Sequence, residues 1–312
     1  MSKILISGYY GFANAGDEAM LTAIIESLRQ VEKNVELTVL SGNPEDTAAK
    51  HQVCSVYRFN PLGIIRAMKD SELIISGGGS LLQDVTSKRS LLYYLSIIGL
   101  GKFFGKKVML FAQGIGPIRA KWARKLTSLV CNEADLITVR DSESAAELIE
   151  MGVKPEKITV TADSVLSLNP VTKECGQYLL QEAGVDLTKP VIGISVRPWS
   201  GDSQCFQVLA EAASKLQQSY GAQLILLPLQ YSVDVKACEK LRKALVCQKD
   251  IFLLNEKYKR DILFFVSRRY LDHLAKYKYL MEEIIWKKCK RSWNDSLFLL
   301  LQKLIVKDML LQ

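Results

Sequence analysis

The chain has 312 residues, 48% of them hydrophobic and 24% charged, with a formal net charge of +8. That length exceeds one domain of about 100 to 200 residues and that composition can bury a sizeable core, so disorder is excluded and two domains are expected. Seven scattered cysteines without a C-x-x-C pair, and only two histidines, His51 and His273, exclude a disulfide framework and a zinc site.

In chain order, Lys3 leads directly into an alternating strand rather than into the apolar run of a secretory leader. The front part then reads as strand, loop and helix in repetition. Strands are expected at residues 4–7, 36–40, 73–76, 107–111, 136–139 and 158–160. Helices are expected at 18–31, 61–69, 91–104, 121–133 and 142–151. The longest apolar segment, 91–101, is broken by Tyr93, Tyr94 and Ser96 and falls far short of the roughly 20 residues of a membrane span. A soluble cytoplasmic protein is therefore expected. Residues 170–189 read as a polar bridge and edge, followed by strands at 191–196 and 223–227 and helices at 207–220 and 233–245. The alternation implies an α/β fold of two Rossmann-like, doubly wound parallel-sheet domains, residues 1–170 and 171–267, with a cleft between the carboxyl ends of the two sheets.

The end of the chain differs. The last glycine is Gly221 and the last proline Pro228, although an α/β domain uses glycine at tight turns and helix ends. Residues 255–312 hold 13 Lys+Arg against 7 Asp+Glu, so the basicity belongs mostly to this tail and no nucleic-acid partner is read from it. Residues 268–312 read as an atypical, helical, basic tail, and the abrupt change at Arg268 suggests a shifted reading frame. The run "WKKCKR", 286–291, lies among Ile284, Ile285 and Trp293; it is either a solvated face or a peripheral contact with the inner face of a membrane.

Three glycine turns carry the chemistry. "GYYGFANAGDEAML", residues 8–21, places Gly11, Asn14 and Gly16 between the first strand and the first helix, at neither the dinucleotide nor the P-loop spacing. Glycines let a ligand approach the backbone, and a helix N-terminus favours an anion. Asp17 and Glu18 either line the site or cap the helix. "SGGGSLLQD", 76–84, repeats the device: Gly77, Gly78 and Gly79 clear a cleft edge or make a plain turn, Ser80 can cap the next helix, and Gln83 or Asp84 can face a ligand. "FAQGIGP", 111–117, adds Gln113 and Gly114. Three such turns at strand carboxyl ends converge on one crevice. Arg140 follows the strand at 136–139 as a permanently charged fork suited to carboxylate or phosphate, or as a surface partner of Asp141, which with Ser142 starts the next helix. Arg197 in "GISVRPW" and Gln230 in "LLPLQ" take the matching places in the second unit, while His51 reads as a surface residue with no titratable partner.

Together, "GYYGFANAGDEAML", "ISGGGSLLQD", "AQGIGP", "VRDSESAAEL" and "GISVRPW" resemble the polysaccharide pyruvyl transferases, nearest to the CsaB type, over residues 1–267. The resemblance implies a glycosyltransferase GT-B-like fold. It implies transfer of the enolpyruvyl unit of phosphoenolpyruvate to two hydroxyls of an N-acetylmannosamine residue on a lipid-linked cell wall polymer precursor, giving a 4,6-ketal and phosphate. No metal and no further cofactor enter that chemistry. Arg140 stands where the family has a functionally important arginine, so the resemblance gives it the catalytic, anion-holding role and makes the other glycine-turn residues, with Arg197 and Gln230, substrate-binding. The family's Met-Arg-Leu-His segment, whose histidine is its leading general-acid candidate, is missing, and His273 stands in no such motif. This departure implies a chain truncated relative to a working enzyme. Two other readings remain: a nucleotide-sugar glycosyltransferase on the same architecture, and a non-enzymatic, membrane-associated remnant.

Overall fold

The structure, a computed structural model, describes residues 2–168, 172–198, 203–254 and 304–306. It divides into two units, Met1–Leu168 and Asn169–Gln312.

The first unit runs β1 (Lys3–Tyr10), α1 (Ala15–Val31), β2 (Glu36–Ser41), α2 (Pro44–His51), β3 (Cys54–Tyr57), α3 (Pro61–Asp70), β4 (Leu73–Gly77), α4 (Lys88–Phe103), β5 (Lys107–Gln113), α5 (Lys121–Glu133), β6 (Leu136–Val139), α6 (Ser142–Glu150) and β7 (Ile158–Val160). The seven strands order as β3-β2-β1-β4-β5-β6-β7, and every pairing is parallel. Winding reverses between β1 and β4, the switch point outside which ligands of such sheets bind. Successive side chains of β1 serve opposite faces. Leu5 packs with Met68 of α3, Leu91 of α4 and Cys131 of α5, whereas Ile4 and Ile6 pack with Leu21, Ile24 and Ile25 of α1. Burial on both faces explains why the strands read as near-continuous apolar runs.

Several elements exceed or escape the sequence expectation. β1 continues to Tyr10 instead of residue 7, because the Tyr10 ring is buried and its hydroxyl donates to the Gly77 carbonyl at 2.5 Å. α1 begins at Ala15 instead of residue 18, since the Asn14 side chain accepts from the Gly16 amide at 3.1 Å. Asn14 is thus the cap, and Asp17 and Glu18 lie in the first turn, where they favour the dipole. The unpredicted α2 carries ordinary start signals: Asn43 accepts from the Asp46 amide, and Pro44 occupies the first helical position. The short β3 was likewise not expected.

The second unit contains α7 (Lys173–Glu182), β8 (Val191–Ile194), α8 (Ser203–Tyr220), β9 (Gln223–Leu226), α9 (Tyr231–Ala244), β10 (Ile251–Leu253) and β11 (Leu304–Val306). Its sheet orders as β10-β9-β8-β11, with β11 antiparallel to β8 and the other pairings parallel. Phe206, Ala210 and Ala213 of α8 and Ala237, Cys238 and Leu241 of α9 cover one face, while Val191 and Ile225 pack with Leu180 of α7 on the other. The expected polar bridge at 170–189 is corrected: it holds α7, whose Leu180 is buried. Within the tail, residues 304–306 form a strand, where the apolar stretch 297–309 favours a helix in sequence; an edge of β8 supplies backbone partners that local pattern does not reveal. His273 and the basic run 286–291 lie outside the described residues. Burial pushes the Cys131 and Cys238 thiols up to about 12, which keeps them as small apolar core groups. Among the described residues no helix is long and apolar enough to cross a membrane.

One position tests how tightly α1 is seated. Gly78 has φ +74, and a Cβ there would lie 3.0 Å from Cβ of Met20. Gly78→Ala is expected to destabilise the protein by about 1–3 kcal/mol in urea unfolding, combining left-handed strain with pressure on α1. Wild-type stability in that variant would show that α1 yields freely.

Candidate active site

The three glycine turns adjoin one another at the carboxyl edge of the first sheet. Pairing between β4 and β5 continues past both strands: the Gly114 amide donates to the Gly79 carbonyl at 3.0 Å, Leu82 bridges Ile115, and the Gly116 amide donates to the Leu82 carbonyl at 2.8 Å. The first turn joins them through Asp17, whose Oδ1 lies 3.2 Å from the place a Cβ on Gly79 would take. Side chains of α1, Met20 and Ile24, occupy the space beside Gly77 and Gly78. Those two glycines therefore leave room for the helix.

Arg140 crosses this edge. Its amide donates to the Gln113 carbonyl at 3.1 Å, extending the β5–β6 pairing by one residue. A Cβ on Gly114 would lie 2.7 Å from Cζ, Nε and Nη2 of Arg140 at once, so the guanidinium lies face-on over that glycine. Its fork is engaged: Nε with Asp141 Oδ2 at 3.3 Å, Nη1 with Asp163 Oδ2 at 3.3 Å, and Nη2 with Ser80 Oγ at 3.2 Å. Both sequence alternatives meet here, because Arg140 pairs with Asp141 and also stands among the turns. Asp141 caps α6 by accepting from the Ser144 amide at 2.7 Å. Burial works against its charge, yet the Ser144 hydrogen bonds and the Arg140 guanidinium hold its carboxyl below the usual range. Asp163 was missed; its signal is an acid capping a short 3-10 turn, its Oδ1 accepting from the Val165 amide at 3.1 Å.

Other expected ligand residues have partners within the protein. Gln113 is completely buried and its Nε2 donates to the Ser76 carbonyl at 2.9 Å and to Ser76 Oγ at 2.8 Å, locking β5 to β4. Gln83 closes a local turn, accepting from the Thr86 amide at 2.9 Å and donating to its hydroxyl at 2.7 Å. Asp84 accepts from the Arg119 and Ala120 amides at 2.9–3.0 Å and so caps α5, whose own cap residue Ala120 has no side-chain acceptor. Ser80 does not cap α4; Ser87 does, and Ser80 serves Arg140. Gly16 has its amide on Asn14 Oδ1, and the Gly11 amide donates to Glu18 Oε1 at 2.8 Å. His51 is not a surface residue without a titratable partner: its side chain is buried and Nε2 lies 3.5 Å from Glu18 Oε2.

In the second unit Arg197 and Gln230 do meet, at the carboxyl ends of β8 and β9. Arg197 Nη2 donates to Gln230 Oε1, Nε stands 3.9 Å from Asp234 Oδ1, and the Gln230 amide donates to Asp234 Oδ2 at 2.7 Å. The buried Asp234, in the first turn of α9, was not anticipated.

The Asp84 cap makes a pH-dependent prediction. Burial opposes its charge, but the Ala120 and Arg119 amides and nearby cations hold its carboxyl below the usual range. A depressed folded value contributes stability that is present above the unfolded value near 4 and is lost as pH falls through the folded value. Asp84→Asn is expected to cost about 0.5–1 kcal/mol at pH 7, because a charge-assisted acceptor is replaced by a neutral one, and its melting curve to converge on wild type as pH falls through the folded value. A gap that persists at low pH would show that the carboxylate charge is not what caps α5.

Among solved structures, the fold is similar to HepE of Anabaena in complex with UDP and glucose, at TM-score 0.54 and 15% identity, covering 81% of this chain and 69% of that one. It is also similar to the UDP-GlcNAc 2-epimerase of Neisseria meningitidis bound to UDP-GlcNAc, at TM-score 0.56 and 12% identity, covering 86% and 76%. A glycosyltransferase of Rickettsia africae matches at TM-score 0.52 and 13% identity, covering 83% and 69%. At such identities the likeness is one of fold, a GT-B-like pair of Rossmann-type units. No curated protein matches the chain in sequence. The family model for polysaccharide pyruvyl transferases matches residues 14–281, extending beyond residue 267, where the motif resemblance stops. With its glycine turns gathered around Arg140 and most of its length inside that match, the chain belongs to the polysaccharide pyruvyl transferase family.

Proposed function

We propose that the chain is a phosphoenolpyruvate-dependent transferase that places a pyruvyl ketal on a saccharide, with the CsaB-type acceptor, a lipid-linked N-acetylmannosamine residue, as the first candidate. The observation that carries this reading is the Arg140 guanidinium laid over Gly114 at the carboxyl ends of β4, β5 and β6. Phosphoenolpyruvate is small and strongly anionic, and a planar fork can take its carboxylate or its phosphate with two parallel hydrogen bonds. The fork's contacts to Asp141 and Asp163, at 3.3 Å, are longer than the roughly 2.7–2.9 Å of a well-formed charge-assisted bond. A donor offering better geometry can replace one of them.

The chemistry balances without a redox partner. Addition of one acceptor hydroxyl across the donor's double bond forms a C–O bond at the central carbon, and a proton goes to the methylene carbon to make the methyl group. Attack by the second hydroxyl forms the other C–O bond, breaks the bond to phosphate and sends its proton out with that leaving group. A positioned cation stabilises the negative charge on the donor while these bonds change.

Acceptor-dependent release of phosphate from phosphoenolpyruvate, with a ketal-bearing saccharide in the mass spectrum, is the expected result for the 312-residue chain, and such turnover would also overturn the expectation, drawn from the missing Met-Arg-Leu-His segment, of a chain cut short of a working enzyme. Arg140→Lys keeps the charge but loses the fork, and should lower that rate about 10²-fold. Release of UDP from a UDP-sugar, with no phosphate from phosphoenolpyruvate, would overturn the reading in favour of a glycosyltransferase.

A further inference from the structure

Across the switch point from Arg140, the carboxyl ends of β1 and β3 hold a second construction that no motif announces. Arg58, the residue after β3, is 4% exposed, and its amide donates to the Ser41 carbonyl at the end of β2. Its guanidinium carbon lies 4.4 Å from the ring centroid of Tyr93, 5.2 Å from Phe59, 5.3 Å from Phe12, 5.4 Å from Tyr94 and 6.0 Å from Tyr9. Its polar contacts include the Gly8 carbonyl and the Tyr94 hydroxyl, each at 3.4 Å, and among the described residues Nε has no hydrogen-bond partner. A buried cation normally has a carboxylate partner, because leaving water is costly. Here cation–π contacts with the rings take that place.

The rings are held in turn. Tyr9 and Phe12, within the first glycine turn, stack at 4.3 Å between centroids, and Phe59 meets Tyr93 edge-on at 5.8 Å. Phe59 nevertheless stays 60% exposed. Such a set is rigid, aromatic and partly open, and its members flank the turn that begins the candidate site. An exposed aromatic surface of this kind marks a binding face, and rings locked in advance lose little freedom when a ligand arrives.

We infer that the aromatic face over Arg58 is the acceptor subsite, and that it takes the pyranose ring of an amino sugar by stacking. This rests on the pyruvyl transferase reading for the identity of the second substrate. The two sides of the switch point then divide the work, with the fork of Arg140 for the small anion on the β4–β6 side and the rings for the sugar on the β1–β3 side. A pyranose suits the rings because it offers them a flat C–H face, while its hydroxyl rim stays available to polar groups. Arg58 is a positioning residue in this scheme: it touches no substrate and sets the rings.

The test uses the full chain and the methyl glycoside of N-acetylmannosamine. Saturation-transfer NMR is expected to show transfer to the pyranose protons. Phe59→Ala, at an exposed position, should weaken that binding about tenfold, and Arg58→Met should do likewise with an unchanged circular dichroism spectrum. In turnover, Phe59→Ala should raise the saccharide KM by a similar factor and leave the phosphoenolpyruvate KM within about twofold. Unaltered saccharide binding in Phe59→Ala, or no saturation transfer in wild type, overturns the inference. So does binding of phosphatidylglycerol vesicles that depends on Phe59 when the glycoside does not bind. If phosphate is released normally but Phe59→Ala binds the glycoside like wild type, only this inference fails. Phe59-dependent glycoside binding with release of UDP from a UDP-sugar and no phosphate from phosphoenolpyruvate would sink the donor reading instead.

Discussion

A guanidinium cannot lie across the end of a strand that carries a side chain there. The space over Gly114 is what lets Arg140 reach from the end of β6 across β5 to Ser80 beyond β4. The strand itself is shaped for this crossing. Register between β5 and β6 shifts between Leu110 and Gln113, Ala112 adopts φ 47, and its amide turns to the Thr138 hydroxyl at 2.7 Å. The pairing then resumes from Gln113 to the Arg140 amide. Such bulges re-aim residues of the bulged strand, here the end of β5 that the Arg140 side chain crosses.

Around that crossing, polar side chains serve the scaffold. Gln113 ties β5 to β4, Asp84 caps α5 from another loop, and Glu18 holds the Gly11 amide while its other oxygen faces His51. Each satisfies a backbone or side-chain donor at an edge where strands have ended and pairing partners run out. The edge is consequently rigid. The groups whose bonds are long or whose faces are open are the fork of Arg140 on one side of the switch point and the ring set above Arg58 on the other.

The second unit repeats the plan on a smaller scale. Its arginine, Arg197, likewise lies just beyond the carboxyl end of a strand, β8, and there too it is met by a residue after the next strand, Gln230, and by an acid in the following helix, Asp234. Shared placement follows from shared topology, because parallel strands deliver what comes after them to the same edge. The polysaccharide pyruvyl transferase family thus appears in this chain as two sheets, the first parallel and the second parallel but for β11, each with a cation at its carboxyl edge.

By itself the sequence determined the alternation of strands and helices, the parallel sheets and the three glycine turns. These are local in cause: apolar period, glycine where the backbone turns, an acid or amide before a helix. It also singled out Arg140, since a charged residue directly after a buried strand must emerge at the sheet edge. Short elements with few apolar positions, α2 and β3, were lost, although Asn43 and Pro44 marked the first of them. Tertiary structure alone decided the partners of the polar residues in the motifs. Gln83, Gln113 and Asp84 read as ligand residues, and in the fold they bond Thr86, Ser76 and the amides of Arg119 and Ala120, which are set by how the loops pack. Arg58 shows the converse. Nothing in "VYRFN" distinguishes it, because its five rings arrive from the first turn, the end of β3 and α4, and only the folded chain brings them around one cation.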